Sequence, residues 1–188
     1  MKELKGSRTE KNVLISFAGE SQARNRYTYF ASAAKKEGLE LVSRTFLEIA
    51  DQEKEHAKKF FNLLQGGEVE IAGAFPAGVV GKTADNLNAA AGGEKEEHTQ
   101  AYPEMAKVAD EEGFAAIASL FRFVSVAERE HERRFRALLD LIEKGRMFKR
   151  EKAVKWRCLN CGFVHEGTDA PGACPACAHP QAYFEALN

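Results

Sequence analysis

Leu39–Leu63, LELVSRTFLEIADQEKEHAKKFFNL, is the stretch that decides the fold. Steps of three and four pick out Leu39, Val42, Phe46, Ile49, Glu53, His56, Phe60 and Leu63. That rhythm is one face of an α-helix, and its only ionisable members are Glu53 and His56. Three residues apart, the carboxylate and the imidazole share that face. Burying them in an apolar seam is costly unless something binds them. The same rhythm returns in Phe114, Ile117, Phe121, Val124, Glu128, His131, Phe135, Leu138 and Ile142, again with a Glu-x-x-His pair inside it. Glu48, Asp51, Glu55, Glu130 and Glu132 fall off these seams and read as solvated helix faces.

Two further segments carry the anomaly. Val13, Phe17, Glu20, Arg24, Tyr27, Ala31 and Ala34 form a seam around Glu20. Leu87, Ala90, Glu94, Glu97, Ala101 and Val108 form another, with two glutamates one turn apart. Glu20 precedes Glu53 by 33 residues and Glu94 precedes Glu128 by 34. The chain therefore reads as one helical hairpin used twice, related by an approximate internal two-fold. One Glu from each of two helices plus Glu-x-x-His from each of the other two is the di-iron or di-manganese pattern of ferritin-like four-helix bundles. Glu97 is a carboxylate beyond that minimum.

The chain of 188 residues has room for one such bundle and a small appendage. Its 29% charged and 44% hydrophobic residues are ordinary for a soluble protein, and a net charge of −1 gives no reason to expect a nucleic-acid surface. No apolar run reaches the ~18 residues needed to span a membrane, and the polar start MKELKGSRTEKN is no signal peptide. The expected location is cytoplasmic. Ser7-Arg8-Thr9-Glu10 reads as a capping box opening a first helix that ends at Gly38. The second helix is expected to run to about Gln65. The stretch 67–83, with Pro76 and several glycines, reads as a crossover along the outside of the bundle, which makes the second and third helices parallel. The third helix is expected from Thr83–Asp85 to Gly113, with Pro103 kinking it or interrupting its hydrogen bonds just past the ligands. The fourth spans Gly113 to Gly145. Residues 1–146 are thus the bundle, 147–155 (MFKREKAVK) a basic linker, and 156–188 a second unit.

All four cysteines lie in that second unit, as Cys158-x-x-Cys161-Gly162 and Cys174-Pro-x-Cys177. Two such knuckles supply a tetrahedral thiolate site, and without an export signal this favours a metal over disulfides. Spacing does not separate zinc, inert and structural, from iron, which carries one electron. Trp156, Phe163 and Tyr183 are available as a small apolar lid, and metal binding and folding should be one event in so short a unit.

With both motifs in place the chain resembles the rubrerythrin family, an all-α ferritin-like four-helix bundle fused to a small C-terminal rubredoxin-like metal-binding β domain. The resemblance covers essentially the whole chain. It rests on Glu20, Glu53-x-x-His56, Glu94-x-x-Glu97, Glu128-x-x-His131 and the two cysteine knuckles. It implies two non-haem iron ions in a carboxylate-bridged site and one iron on Cys158, Cys161, Cys174 and Cys177, with zinc possible there in recombinant material. It also implies a peroxidase that reduces hydrogen peroxide to water. Its electrons would come from a reduced nicotinamide cofactor through reductase or rubredoxin partners, and it would work as a homodimer in which one subunit's rubredoxin-like domain approaches the other's di-iron site. Glu53 and Glu128 would bridge the irons, Glu20 and Glu94 would be terminal ligands, and the first iron would alternate between His56 when reduced and Glu97 when oxidised. Ala178 departs from the glycine usual in a second knuckle, so one amide–sulfur contact is expected to be strained or missing. The loop between the knuckles is also shorter than in free rubredoxins.

Tyr27, seven residues after Glu20, and Tyr102, eight after Glu94, are expected to hydrogen bond to ligand carboxylates. Arg24 either neutralises a carboxylate or snorkels to the surface. His98 reads as a surface residue, and His165 and His179 as surface or interface residues beside a site the cysteines already fill. The rival reading is a ferritin-like ferroxidase or iron-binding protein with a structural zinc tail; it leaves the pairing with an electron-transfer domain unexplained.

Overall fold

The computed structural model describes residues 3–187. Helix α1 (Arg8–Lys36) opens on Ser7, whose Oγ accepts the Glu10 amide at 3.0 Å, while the Glu10 carboxylate accepts the Gly6 amide at 2.7 Å. A second cap comes from far along the chain. Glu112 accepts the Thr9 amide at 2.8 Å, the Thr9 hydroxyl at 2.6 Å and the Arg8 amide at 3.3 Å, filling donors that a helix start leaves open. At the other end Gly38 takes φ 76° and the Leu39 amide reaches back to the Ala34 carbonyl at 2.9 Å. This left-handed closure turns the chain into α2 (Glu40–Phe61). Gly113 repeats it with φ 80°, the Phe114 amide meeting the Ala109 carbonyl at 2.7 Å, between the third helical stretch and α5 (Ala115–Glu143). The hairpin is indeed used twice. Helix α2 stops about a turn earlier than expected, because Leu63 and Leu64 already make tighter bonds, to Phe60 and Phe61.

The third stretch is not one α-helix. It comprises α3 (Thr83–Glu96), a π-helical turn (Glu97–Ala101) and α4 (Tyr102–Glu111). The Tyr102 amide bonds to the carbonyl of Glu97, five residues back. Pro103 has no amide hydrogen and would clash with the carbonyl four residues before it in an α-helix; the wider turn lies where that conflict falls. The π-turn also adds one residue to the phase of the helix. The expected seam after Glu94 continues through Ala101 and Val108, whereas the buried residues are Tyr102, Ala106 and Ala109. In α1 the seam is also broader than expected: Ser16, Ala23 and Phe30 are buried on it, while Phe17 and Arg24 lie at its edge.

Helix α1 begins beside Glu112 and ends beside Thr83, whose amide donates to Glu37 at 3.0 Å. It therefore runs antiparallel to the third stretch as well as to α2, and α2 and α3 are parallel, as the long crossover requires. The crossover is mostly exposed and is fastened to α1 where Gln22 Nε2 donates to the Pro76 carbonyl at 3.1 Å. Two apolar clusters fill the bundle. One gathers Phe30, Phe46, Phe135 and Leu87 around Tyr27, the other Phe60, Phe121 and Val13 around Tyr102.

The C-terminal unit is an antiparallel sheet in the order β2-β1-β3, from β1 (Lys149–Cys158), β2 (Val164–Asp169) and β3 (Phe184–Leu187). Residues 149–155, read from sequence as linker, are therefore the first part of the central strand. Val154 pairs with Gly167 and Trp156 with both His165 and Ala186. The backbone of a basic run pairs as well as any other when a bulge between Lys149 and Val154 absorbs the register shift. Trp156 and Phe184 are fully buried in the small core. The unit rests on the start of α2, where Arg44 Nη1 donates to the Leu159 carbonyl at 2.9 Å and its guanidinium lies 6.0 Å from the Tyr183 ring centre.

Candidate metal centre

The four seams bring Glu20, Glu53, Glu94, Glu128, His56 and His131 together between the two apolar clusters. The four carboxylates are at most 1% exposed. His56 Nδ1 lies 3.0 Å from Glu53 Oε2 and 3.0 Å from Glu128 Oε1, and 3.9 Å from Glu20 Oε2. On the other side His131 Nδ1 lies 2.9 Å from Glu53 Oε1, 2.8 Å from Glu128 Oε2 and 3.6 Å from Glu94 Oε2. Two four-donor groups result, Glu20–Glu53–His56–Glu128 and Glu53–Glu94–Glu128–His131, each with its donor atoms within 4.8 Å of one another. Glu53 and Glu128 belong to both, each turning one oxygen to each side.

Such an arrangement is not satisfied by hydrogen bonds. Glu53 Oε1, Glu94 Oε2, both Glu128 oxygens and His131 Nδ1 are buried without a hydrogen-bond partner. Native cores leave few such atoms, and here five cluster on one point. Oxygen-rich donors with one imidazole per side suit iron or manganese, so the residues fit a carboxylate-bridged di-iron site. The two tyrosines hold the terminal carboxylates from behind. The Tyr27 hydroxyl donates to Glu94 Oε1 and the Tyr102 hydroxyl to Glu20 Oε1, leaving each Oε2 turned to the cluster. The bonds are reciprocal across the internal two-fold, each tyrosine serving the glutamate of the other hairpin.

Protonation follows from this crowding. Burial and then the nearby Glu53 carboxylate push Glu20 well above its ordinary value and Glu94 up to about 8. Glu97 is also pushed well up, by burial and then by Glu94. Burial opposes a charge on either imidazole, but contacts with Glu128 and Glu53 raise His56 to about 10 and His131 to about 12. Glu53 is held near 2 against its burial by the two histidines. The crowding favours protons on these groups, and a cation bound there would displace them.

Glu97 is half-buried at the first position of the π-turn and belongs to neither four-donor group. It lines a pocket of about 280 Å³ next to Tyr27 and Tyr102. Arg24 Nη1 donates to Asn25 Oδ1 at 3.4 Å, and among the described residues no carboxylate pairs with it. His98, expected at the surface, is tucked against Glu132, with Nε2 2.6 Å from Oε2, because the π-turn rolls it toward α5. Gln52 was not singled out from sequence: its Oε1 lies 3.0 Å from His131 Nε2, which leaves Nδ1 as the free donor. A polar residue next to a seam gives no periodic signal.

In the C-terminal unit the sulfurs of Cys158 and Cys177 are 3.7 Å apart and those of Cys161 and Cys174 3.6 Å. A tetrahedral site with metal–sulfur bonds of ~2.3 Å puts sulfurs about 3.8 Å apart, whereas a disulfide would need ~2.0 Å. The Gly162 amide donates to the Cys158 carbonyl at 2.9 Å, and the Ala178 amide to the Cys174 carbonyl at 2.8 Å. Both knuckles therefore close alike, with Ala178 held at φ 60°, the one non-glycine with positive φ among the described residues. Of the two outcomes expected for an amide–sulfur contact here, strained or missing, it is not missing. The His179 amide donates to the Cys177 sulfur and lowers that thiol to about 6, and the Phe163 amide bonds to the Cys161 sulfur. The Ala178 backbone absorbs the strain instead. His179 packs edge-on against Tyr183 with ring centres 4.5 Å apart, and His165 pairs along the sheet; neither joins the thiolates.

Among known proteins, the Rubrerythrin family pattern matches residues 11–139 and the pattern described as Rubrerythrin, rubredoxin-like domain, matches residues 156–185. Rubrerythrin from Porphyromonas gingivalis is 58% identical over 187 residues, covering 100% of this chain and 94% of that one. Rubrerythrin from Nitratidesulfovibrio vulgaris is 58% identical over 188 residues, covering 100% and 98%. The solved structure of partially reduced nigerythrin superposes with a TM-score of 0.64 at 29% identity, over 99% of this chain and 89% of that chain. Bundle, thiolate unit and their order along the chain all agree, and the chain belongs to the rubrerythrin family.

Proposed function

We propose that this chain reduces hydrogen peroxide to water at the bundle site, using electrons received through the thiolate site. The observation that carries this reading is the pair of four-donor groups sharing Glu53 and Glu128, in the same chain as a four-sulfur site of rubredoxin-like kind. Family members are oxidoreductases; the peroxide substrate and the electron route are the proposal. Two ferrous ions, which Glu20, Glu53, His56, Glu94, Glu128 and His131 would hold, would supply the two electrons that peroxide requires.

The residues have distinct tasks. Glu53 and Glu128 hold both positions at a fixed spacing. Tyr27 and Tyr102 pin Glu94 and Glu20, so that one oxygen of each faces inward. The apolar clusters on either side keep bulk water from the carboxylates. His56 and Glu97 are the alternative donors at the first position, as the family resemblance implies, and the structure's cluster contains His56. Leu159, inside the first knuckle, accepts a hydrogen bond from Arg44, twelve residues before His56. At 1.5 Å per residue that is about 18 Å along α2. Transfer between subunits of a homodimer, with reduced nicotinamide cofactor and reductase or rubredoxin upstream, is the part of the reading that the family resemblance carries.

The test uses iron-loaded protein, a reduced nicotinamide cofactor and a generic reductase. Peroxide should be consumed, and the visible colour of the ferric thiolate should bleach on reduction and return on adding peroxide. Full activity with zinc in the thiolate site would refute the relay. Unchanged peroxide turnover and ferric spectrum in Glu97→Ala would refute the exchange of donors.

A further inference from the structure

The 280 Å³ pocket beside Glu97 is much larger than hydrogen peroxide requires. Peroxide has two oxygens, and a cavity needs about 10–15 Å³ of such space per water-sized group, so roughly 30 Å³ would serve. The pocket lies between α1, the π-turn and the crossover, and small residues hollow it out: Gly19 and Ala23 on one side, Gly93 and Ala101 on the other. A side-chain carbon added at Gly93 would meet nothing within 4 Å, so the space in front of it is open. Phe75 of the crossover roofs the pocket over Gly19, and the Gln22–Pro76 bond fastens that roof. Ile15 and Met105 add apolar wall, while Glu97 and the two ligand-holding tyrosines form the inner end. Gln22, Arg26 and Glu96 add polar groups to these apolar walls. A chamber with such walls, and with an inner end formed by Glu97 and the two tyrosines that hold ligand carboxylates, suits a molecule with a small carbon tail and a peroxide head.

The geometry points to small alkyl and aryl hydroperoxides as a second substrate class, bound with the tail under Phe75 and the peroxide group at the Glu97 end. This rests on the peroxidase reading above. The O–O bond of ROOH breaks, the two ferrous ions each give up one electron, and two protons from solvent complete an alcohol, ROH, and water. The ferric pair is then reduced again through the thiolate site. Long-chain lipid hydroperoxides exceed the pocket and are excluded.

The fully reduced iron protein should be mixed anaerobically with hydrogen peroxide, tert-butyl hydroperoxide, cumene hydroperoxide or a linoleic acid hydroperoxide. Oxidation of the site is followed optically and the alcohol by chromatography. One alcohol per oxidised di-iron site is expected from the two small organic substrates, and none from the lipid. Gly93→Leu, which fills the open space, should slow oxidation by cumene hydroperoxide roughly tenfold or more, the effect expected when a bound group must compete with a filled volume. Oxidation by hydrogen peroxide should be little changed. Independently of turnover, cumyl alcohol should bind zinc-loaded protein by saturation-transfer NMR and lose binding in Gly93→Leu; this also serves should the variant load iron poorly. Oxidation by hydrogen peroxide alone, with no alcohol formed from either small hydroperoxide, overturns this proposal and leaves the peroxidase reading standing. No oxidation by any of the four overturns both. Equal slowing of both substrate types in Gly93→Leu, or cumyl alcohol binding unaffected by it, shows that the chamber does not hold the tail and also overturns the proposal.

Discussion

Tyr102→Phe removes one oxygen and nothing else. The ring keeps its packing against Phe60 and Phe121, both 5.9 Å away between centres, and no cavity is made. Glu20 Oε1 loses its only hydrogen-bond donor among the described residues, because the nearest imidazole nitrogen approaches its other oxygen and only to 3.9 Å. A hydrogen bond to a charged group contributes about 1.5–3 kcal/mol. In the metal-free protein the loss is expected to be smaller, since burial and Glu53 already favour the neutral form of Glu20, and bonds between neutral groups contribute only about 1 kcal/mol. In the metal-bound protein Glu20 must be ionised, so the full loss falls on binding. Affinity should drop about 10–100-fold, as for other groups that hold a ligand from behind, or about 1.4–2.7 kcal/mol. The assay is cobalt(II) titration against a competing chelator, with the thiolate site already filled by zinc. Tyr27→Phe should match it through Glu94, and the double variant should lose the sum within about 0.5 kcal/mol, because the two bonds share no partner. Affinity within about threefold of the parent, or equal destabilisation of the metal-free protein, would refute the reasoning.

Three further outcomes are expected. Glu112→Gln should lower stability by about 1–2 kcal/mol near neutral pH, since it weakens the cap on α1. Burial disfavours the charged carboxylate, but the Thr9 hydroxyl and amide together with Arg8 hold it near 2. The stabilisation is therefore complete above the ordinary value of about 4.3 and fades as pH falls toward 2, so denaturation midpoints of parent and variant should converge in acid; a gap independent of pH would count against the cap. Ala178→Gly should stabilise the loaded C-terminal unit by about 1 kcal/mol, because the left-handed backbone costs an L-residue roughly 1–2 kcal/mol and glycine returns part of that as chain entropy. Slower metal loss to a chelator measures this, and an unchanged rate would contradict it. Stripping metal from the four cysteines should red-shift the emission of Trp156, the only tryptophan and fully buried, while the helical circular dichroism persists, since the bundle has its own core. Unaltered emission would mean that the small unit folds without its metal.

What could be read from sequence, and what could not, divides along physical lines. Glu53, His56, Glu128 and His131 stood out because ionisable groups interrupt apolar stripes, and a helical stripe is periodic. Gly38 and Gly113 marked the hairpin turns because a left-handed closure favours glycine. The cysteine spacing gave the second site, because a tetrahedron of sulfurs constrains both knuckles. Glu112, in contrast, caps a helix 103 residues away, and no local pattern carries that contact. Gln52 sits off the seam, where a polar residue is unremarkable. The π-turn was half visible: Pro103 forbade an undisturbed α-helix, and Glu94 to Tyr102 is eight residues where Glu20 to Tyr27 is seven. The extra residue is the π-turn, without which Ala101 rather than Tyr102 would face the core.

The departures from two-fold symmetry all concern donors at the site, and they assign its two halves different behaviour. Pairing Glu20 with Glu94 and Glu53 with Glu128 also pairs Gln52 with Ala127 and Ala23 with Glu97. Gln52 fastens the Nε2 of His131, but Ala127 has nothing to offer His56, and no hydrogen bond reaches His56 Nε2 among the described residues. The His56 side chain is 18% exposed and that of His131 only 5%. Where α1 has the small Ala23, the other hairpin has Glu97, at the first residue of the π-turn and beside an open pocket. One half of the site thus has a ring locked by a neighbour and the other an unfastened ring, and in the proposed exchange of donors Glu97 is the carboxylate that replaces that second ring. A symmetric bundle would hold two equivalent ions. Ala127, Glu97 and the single inserted residue make them inequivalent, so any exchange of donors should be confined to the His56 side while Glu94 and His131 stay fixed.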